Sequence, residues 1–302
     1  MFKGSIVAIV TPFSAVGGSA SGGKKLVVDE KKLKELIEFQ IKNGSSGIVP
    51  CGSTGESATL SFEEHERVIA ITIEQVAKRV PVIAGTGSNS TEEAINLTKQ
   101  AAQAGADASL QVSPYYNRPT QRGLYEHFKA VALSVEIPII LYNIAGRTGV
   151  NIEPETIAKL ANDCKNIVAV KEASGNLDQM SRIKFLCPDS FELISGDDSL
   201  TLPVLGIGGT GVISVVANVV PRDVADMVSA FEKGDIKKAR QLHYKLLPLT
   251  KALFIETNPI PVKTALGLLG MCEPDLRMPL CGMLPENLEK LKKALKDYGL
   301  LK

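Results

Sequence analysis

Eight short apolar runs recur along the chain, and the segments between them carry apolar residues at helical spacing. The runs are Ile6 to Val10, Gly47 to Pro50, Val82 to Gly85, Ala108 to Val112, Ile137 to Tyr142, Ile167 to Lys171, Glu192 to Ser195 and Gly211 to Val215. In the first helical segment Leu33, Leu36, Ile37 and Ile41 share one face, after an Asp29 cap and before an Asn43-Gly44 stop. Strand, helix, strand repeated eight times predicts an α/β fold, a (β/α)8 TIM barrel. Ser14 to Lys25, rich in Gly and Ser, lengthens the first interval as a mobile loop or hairpin tip and breaks no repeat. The pattern is wholly helical from Pro221 to Lys302, more helix than a barrel needs. This divides the chain into a catalytic barrel over 1–234 and a C-terminal helical domain over 235–302.

The balance of charge narrows the partners. Lys and Arg number 34 against 33 Asp and Glu, with no long block of one sign, which disfavours nucleic acid or an anionic membrane as the main partner. Five cysteines, Cys51, Cys164, Cys187, Cys272 and Cys281, show no Cys-x-x-Cys spacing and suit reduced thiols in the cytoplasm. No stretch has the length of a signal peptide or membrane span. The expectation is a cytoplasmic enzyme.

Barrel enzymes place their chemistry at the carboxyl ends of the strands, and polar residues gather there in this chain. Gly52-Ser53-Thr54-Gly55-Glu56 follows the second run, Ser113-Pro114-Tyr115-Tyr116 the fourth, Tyr142-Asn143 closes the fifth, and Gly196-Asp197-Asp198 follows the seventh. The sixth run ends on Lys171, before Glu172-Ala173-Ser174-Gly175. Burial disfavours the charged form of an amine, and an uncharged amine attacks carbonyls. A lone strand-terminal lysine more often snorkels to solvent, and Ser53 or Asp197 alone reads as loop polarity; five such groups at one mouth favour chemistry. His65, His127 and His243 are too scattered for a metal shell, so neither metal nor cofactor is expected. Gly206, Gly208 and Gly211 fit Gly-x-Gly-x-x-Gly but precede a strand, the wrong order for a dinucleotide turn.

Gly52 to Ser57, Pro114-Tyr115-Tyr116-Asn117-Arg118-Pro119, Tyr142-Asn143, Arg147-Thr148-Gly149, Lys171-Glu172-Ala173 and Asn258-Pro259-Ile260-Pro261-Val262-Lys263 occur in order over nearly the whole chain. This set resembles the 4-hydroxy-tetrahydrodipicolinate synthase (dihydrodipicolinate synthase) family of pyruvate-dependent class I aldolases and lyases. The resemblance implies a lyase that condenses pyruvate with aspartate semialdehyde in lysine (diaminopimelate) biosynthesis, with Lys171 as Schiff-base lysine. It implies Tyr142 as proton donor, with Ser53 and Tyr116 completing a hydroxyl relay and Tyr116 reaching into a neighbouring subunit. Thr54 would hold the pyruvate carboxylate, Gly196 and Ile213 would line its pocket, and Arg147 would grip the semialdehyde carboxylate.

The resemblance also implies feedback inhibition by lysine at Ser57, Ala58, His65, Asn89, Glu93 and Tyr115, and a homotetramer. The alternative is another pyruvate lyase, of the sugar-acid aldolase or N-acetylneuraminate lyase type, whose loop also reads Gly-Ser-Thr-Gly-Glu but which lacks an arginine at position 147. Three departures stand out. Ser53 replaces the usual threonine, Ala145-Gly146 a proline-containing turn, and Phe62 a histidine found in some regulated members.

Overall fold

Twelve buried side chains fill the centre of the molecule. Apart from Phe2 they come from all eight predicted runs: Ile6 and Ala8, Val49, Ile83, Ala108 and Leu110, Ile140 and Tyr142, Ala169, Ile194 and Ile213. Within a run they sit two residues apart, as one face of a strand requires. The computed structural model describes residues 2–18 and 24–302. Eight of its strands are parallel: β1 (Gly4–Ala8), β4 (Gly47–Val49), β5 (Ile83–Gly85), β6 (Ala108–Val112), β7 (Ile139–Asn143), β8 (Ile167–Glu172), β9 (Glu192–Ser195) and β10 (Gly211–Ser214). They run β4-β1-β10-β9-β8-β7-β6-β5, and a parallel bridge between Ile48 and Val82 joins the two ends of the sheet. This is the TIM barrel expected, with Lys171 on the sixth barrel strand.

Helices α1 (Glu30–Lys42), α2 (Phe62–Val76), α3 (Thr91–Ala104), α4 (Gln121–Leu133), the short α5 (Ala145–Thr148), α6 (Pro154–Asp163), α7 (Leu177–Leu186), α8 (Thr201–Gly206) and α9 (Pro221–Glu232) lie between and after the strands. Local signals set several of their ends. The Asp29 carboxylate accepts from Lys32 N at the start of α1, and Asn43 caps its end. Ser61 and Glu64 form a reciprocal capping box at α2. Outward-facing strand residues meet these helices in two further clusters, one of which packs β7, β8 and β9 against α4, α6 and α7.

The first interval holds an antiparallel hairpin, β2 (Phe13–Gly18) paired with β3 (Lys24–Val28). The predicted hairpin is therefore present on both sides of residues 19–23, which lie outside the described residues. After the barrel come α10 (Ile236–Leu253), α11 (Ile260–Leu268) and α12 (Pro285–Tyr298). Asp235 caps α10 by accepting from Lys238 N. Leu249 and Leu253 of α10, Val262 and Leu266 of α11, and Leu291 and Leu295 of α12 share one cluster with Val7 of β1 and Ile48 of β4. The C-terminal helices thus share one apolar cluster with the barrel, and α10 packs along α9. Among the described residues, no helix is long and apolar enough to cross a membrane.

Candidate active site

Lys171 follows Ala169 by two positions, so the alternation of β8 that turns Ala169 into the lumen turns Lys171 the same way. Only 6% of the lysine is exposed. Across the strand pair Tyr142 of β7 is its register partner, and the Lys171 Nζ lies 4.1 Å from the centre of the Tyr142 ring. On the other side it pairs with Ile194 of β9. Gly196, just beyond that strand, gives the lysine stem its room: a Cβ there would stand 3.2 Å from Lys171 Cε and 2.8 Å from Ala173 Cβ. Gly196 N donates to the Glu172 carbonyl at 2.7 Å, fixing this wall. Ile213, buried at the end of β10, shares the lumen cluster with Tyr142 and Ile194.

Glu172, next to the lysine, points away from the lumen and is fully buried. Its carboxylate accepts from Asn143 Nδ2 at 2.9 Å, Ser174 N at 2.6 Å and Gln179 Nε2 at 3.2 Å. Asn143 Oδ1 in turn accepts from Ile152 N at 3.0 Å. The ends of β7 and β8 are thereby locked behind the site.

The loop after β4 supplies Ser53 and Thr54. It is a tight turn in which Gly55 N donates to the Gly52 carbonyl at 3.0 Å and Glu56 N to the Ser53 carbonyl at 3.2 Å. Ser53 is half-buried and Thr54 is buried. The Thr54 hydroxyl oxygen accepts from Asn258 Nδ2 at 3.0 Å. Arg147, exposed on α5, donates from Nη2 to the Asn258 carbonyl at 3.0 Å. One residue therefore touches both groups expected to hold substrate carboxylates. The motif string marked Asn258 in the sequence, but no local signal tied it to a loop 204 positions away.

Tyr116 is not brought to this cluster. It is 91% exposed, in the loop after β6, with a left-handed backbone at φ 70°. Asp198 also leaves the mouth. Its carboxylate takes the Ser214 hydroxyl and the Val215 and Val216 amides, at 2.9 and 3.3 Å, and so caps the 3-10 turn Val216–Asn218. Burial pushes this carboxyl up to about 6 against those three donors.

Four residues of the second predicted group, His65, Asn89, Glu93 and Tyr115, interact with one another. His65 is only 7% exposed on α2; its Nε2 meets the Gly85 carbonyl at 2.9 Å, and burial lowers its pKa while that hydrogen bond and Glu93 oppose the shift. Ser88 Oγ donates to the Glu93 carboxylate, and burial followed by Glu93 raises the Tyr115 phenol. Asn89 Nδ2 donates to the Tyr115 carbonyl at 3.2 Å. Ser57 and Ala58 stand on the 3-10 turn Ser57–Thr59 that follows the Thr54 loop. No cluster of three His, Cys, Asp or Glu groups among the described residues is placed to hold a metal ion.

The dihydrodipicolinate synthetase family model matches residues 1–298. The chain belongs to that family. The 4-hydroxy-tetrahydrodipicolinate synthase of Syntrophus aciditrophicus (strain SB) is 62% identical over 301 residues, covering 100% of both chains. The crystal structure of dihydrodipicolinate synthase from Aquifex aeolicus superposes with a TM-score of 0.94 at 54% identity, covering 99% of each chain. That of the Cyanidioschyzon merolae synthase with lysine bound gives 0.93 at 44% identity, again covering 99% of each chain. The family's dipicolinate synthase branch thus matches this chain throughout, including the C-terminal helices.

Proposed function

We propose that the chain catalyses the 4-hydroxy-tetrahydrodipicolinate synthase reaction, the condensation of pyruvate with L-aspartate 4-semialdehyde in lysine (diaminopimelate) biosynthesis. The observation that carries the reading is the buried amine of Lys171 at the end of the sixth barrel strand, 4.1 Å from the Tyr142 ring, in a chain matched end to end by synthases. The Lys171 Nζ attacks the pyruvate ketone carbon, and the carbinolamine loses water to give an imine. The iminium nitrogen draws electrons from the methyl group, whose proton leaves to give an enamine. The enamine carbon then bonds to the semialdehyde carbon, and cyclisation by the semialdehyde amine releases Lys171.

Tyr142 is the neighbour suited to move protons at the first steps. Ser53 and Tyr116 complete its relay, with Tyr116 contributed by a partner chain because 91% of it is exposed in its own. Thr54 holds the pyruvate carboxylate beside Gly196 and Ile213, and Arg147 holds the semialdehyde carboxylate, for which a planar guanidinium suits the planar anion. Serine at position 53 keeps the relay hydroxyl with a freer rotamer than threonine.

Lysine binds as an inhibitor at Ser57, Ala58, His65, Asn89, Glu93 and Tyr115, in a cytoplasmic homotetramer. Support comes from the interactions among His65, Ser88, Glu93 and Tyr115 and from the lysine-bound Cyanidioschyzon merolae neighbour. Residues 1–234 form the catalytic barrel and 235–302 a C-terminal helical domain. The sugar-acid aldolase reading is not favoured, since the full-length relatives are synthases.

Borohydride reduction with pyruvate should trap an adduct at Lys171 by mass spectrometry, and Lys171→Ala should abolish it; an adduct retained in that variant refutes the mechanism. Mixing Lys171→Ala with Tyr116→Phe subunits should restore activity that each lacks, if Tyr116 serves a partner's site. Calorimetry showing no lysine binding at millimolar concentration would remove the regulatory assignment.

A further inference from the structure

Glu56 and Lys263 lie outside the chemistry above, yet both side chains are wholly buried and the Lys263 Nζ stands 2.6 Å from Glu56 Oε1. They are 207 positions apart. Glu56 Oε2 also accepts from Arg277 N at 3.1 Å, and the Lys263 ammonium lies 4.0 Å from the centre of the Phe13 ring. Glu56 has a left-handed backbone, φ 54°, which a residue with a long side chain seldom adopts unless it is held there. Burying two charges is expensive, and apolar side chains of similar volume often stabilise a fold as well or better. Stability alone therefore gives a poor account of this pair.

Its position gives a better one. Glu56 closes the turn that presents Ser53 and Thr54. Thr54 is tied to Asn258 at 3.0 Å, and the Gly55 carbonyl accepts from Thr11 Oγ1 at 2.7 Å. Three successive loop residues are thus tethered, two of them by the segment from Asn258 to Lys263, at and just before the start of α11. We infer that Lys263, through its ion pair with Glu56, is a positioning residue that aims Ser53 and Thr54 at pyruvate, so that a C-terminal helix forms part of the active-site framework. The inference rests on the reading of Lys171 as the pyruvate imine lysine.

The test is the double variant Glu56→Gln/Lys263→Met in the full-length protein, which keeps the volumes and strands no buried charge. With melting close to wild type, its KM for pyruvate should rise about tenfold, equivalent to ~1.4 kcal/mol, with the KM for aspartate semialdehyde within about twofold. Glu56→Asp keeps both charges but shortens the reach by a methylene, and it should show the same selective rise; it serves in place of the double variant should that fail to fold. A folded variant whose pyruvate KM stays within about twofold of wild type overturns the inference. So does an equal rise in both KM values, which would mark general loosening. Borohydride trapping is run in parallel on the wild type: absence of the Lys171 adduct there would refute the reaction assignment instead.

Discussion

Replacing Gly196 with alanine tests the wall behind the Lys171 amine and its proposed role. The added Cβ would lie 2.8 Å from Ala173 Cβ, and 3.2 Å from both Lys171 Cε and the Glu172 carbonyl oxygen. Ordinary carbon contacts fall at about 3.5–4.0 Å, so the first approach is deep in the repulsive range. Gly196 has no left-handed φ, and an alanine there meets only this crowding. Ala173 Cβ cannot rotate away, and the bond from Gly196 N to the Glu172 carbonyl at 2.7 Å resists separation of β8 from β9. The strain is expected to cost about 1–3 kcal/mol, the range for overpacking a tight site. Relief comes most easily through the Lys171 stem, which is flexible at Cε. Displacing a reacting atom by ~1 Å costs roughly a hundredfold in rate, so a shift of several tenths should slow imine formation about tenfold. Timed borohydride quenching with mass spectrometry at Lys171 measures this rate, and urea unfolding measures the strain. Gly206→Ala is the control, since no atom lies within 4 Å of the Cβ it adds. A Gly196→Ala protein that forms the adduct within about twofold of the wild-type rate would refute the packing argument.

Other perturbations probe the framework. Ser61→Ala removes half of the capping box at α2 and should lower stability by ~1 kcal/mol in chemical denaturation. Burial pushes the His127 imidazole down to about 4, with Thr91 Oγ1 2.9 Å from its Nδ1. Because the folded pKa is depressed, its contribution is fully present above the unfolded value of 6.5 and is lost as pH falls from there through about 4. NMR titration should place its midpoint well below 6, and a midpoint near 6.5 would contradict the burial. Leu291→Ala should cost about 2–5 kcal/mol, because Leu291 is fully buried in the cluster shared by the barrel and the C-terminal helices. Its unfolding should remain one transition by both circular dichroism and fluorescence; two transitions would show that the helices unfold apart from the barrel.

The barrel was legible in the sequence because each strand and helix carries its own period. Leu33, Leu36 and Ile37 repeat at helical spacing, and every barrel strand ends within two residues of the end of its apolar run. Register and long-range pairing were not legible. Nothing near Tyr142 or Lys171 in the chain says that their Cα atoms are partners, because parallel register depends on barrel closure and not on any turn. His65 illustrates a different limit. Its neighbours in sequence are those of an exposed amphipathic helix, and only the approach of β5, with the Gly85 carbonyl 2.9 Å away, buries it.

Asp198 shows why a polar residue at a strand end is a weak sign of chemistry taken alone. The same loop holds Gly196, which shapes the lysine's surroundings, and Asp198, which turns back to hold the amides after β10. Both duties serve one geometry, since Gly196 and Ile213 flank the lumen from adjacent strands and the Asp198 carboxylate ties the ends of those strands together. Tyr116 presents the opposite case. An aromatic residue in the left-handed region at φ 70°, with 91% of its surface exposed, is an uncommon and strained arrangement. The proposed relay places this side chain in a partner chain's site, and the mixing of Lys171→Ala with Tyr116→Phe subunits decides between that role and an exposed aromatic with no part in the chemistry.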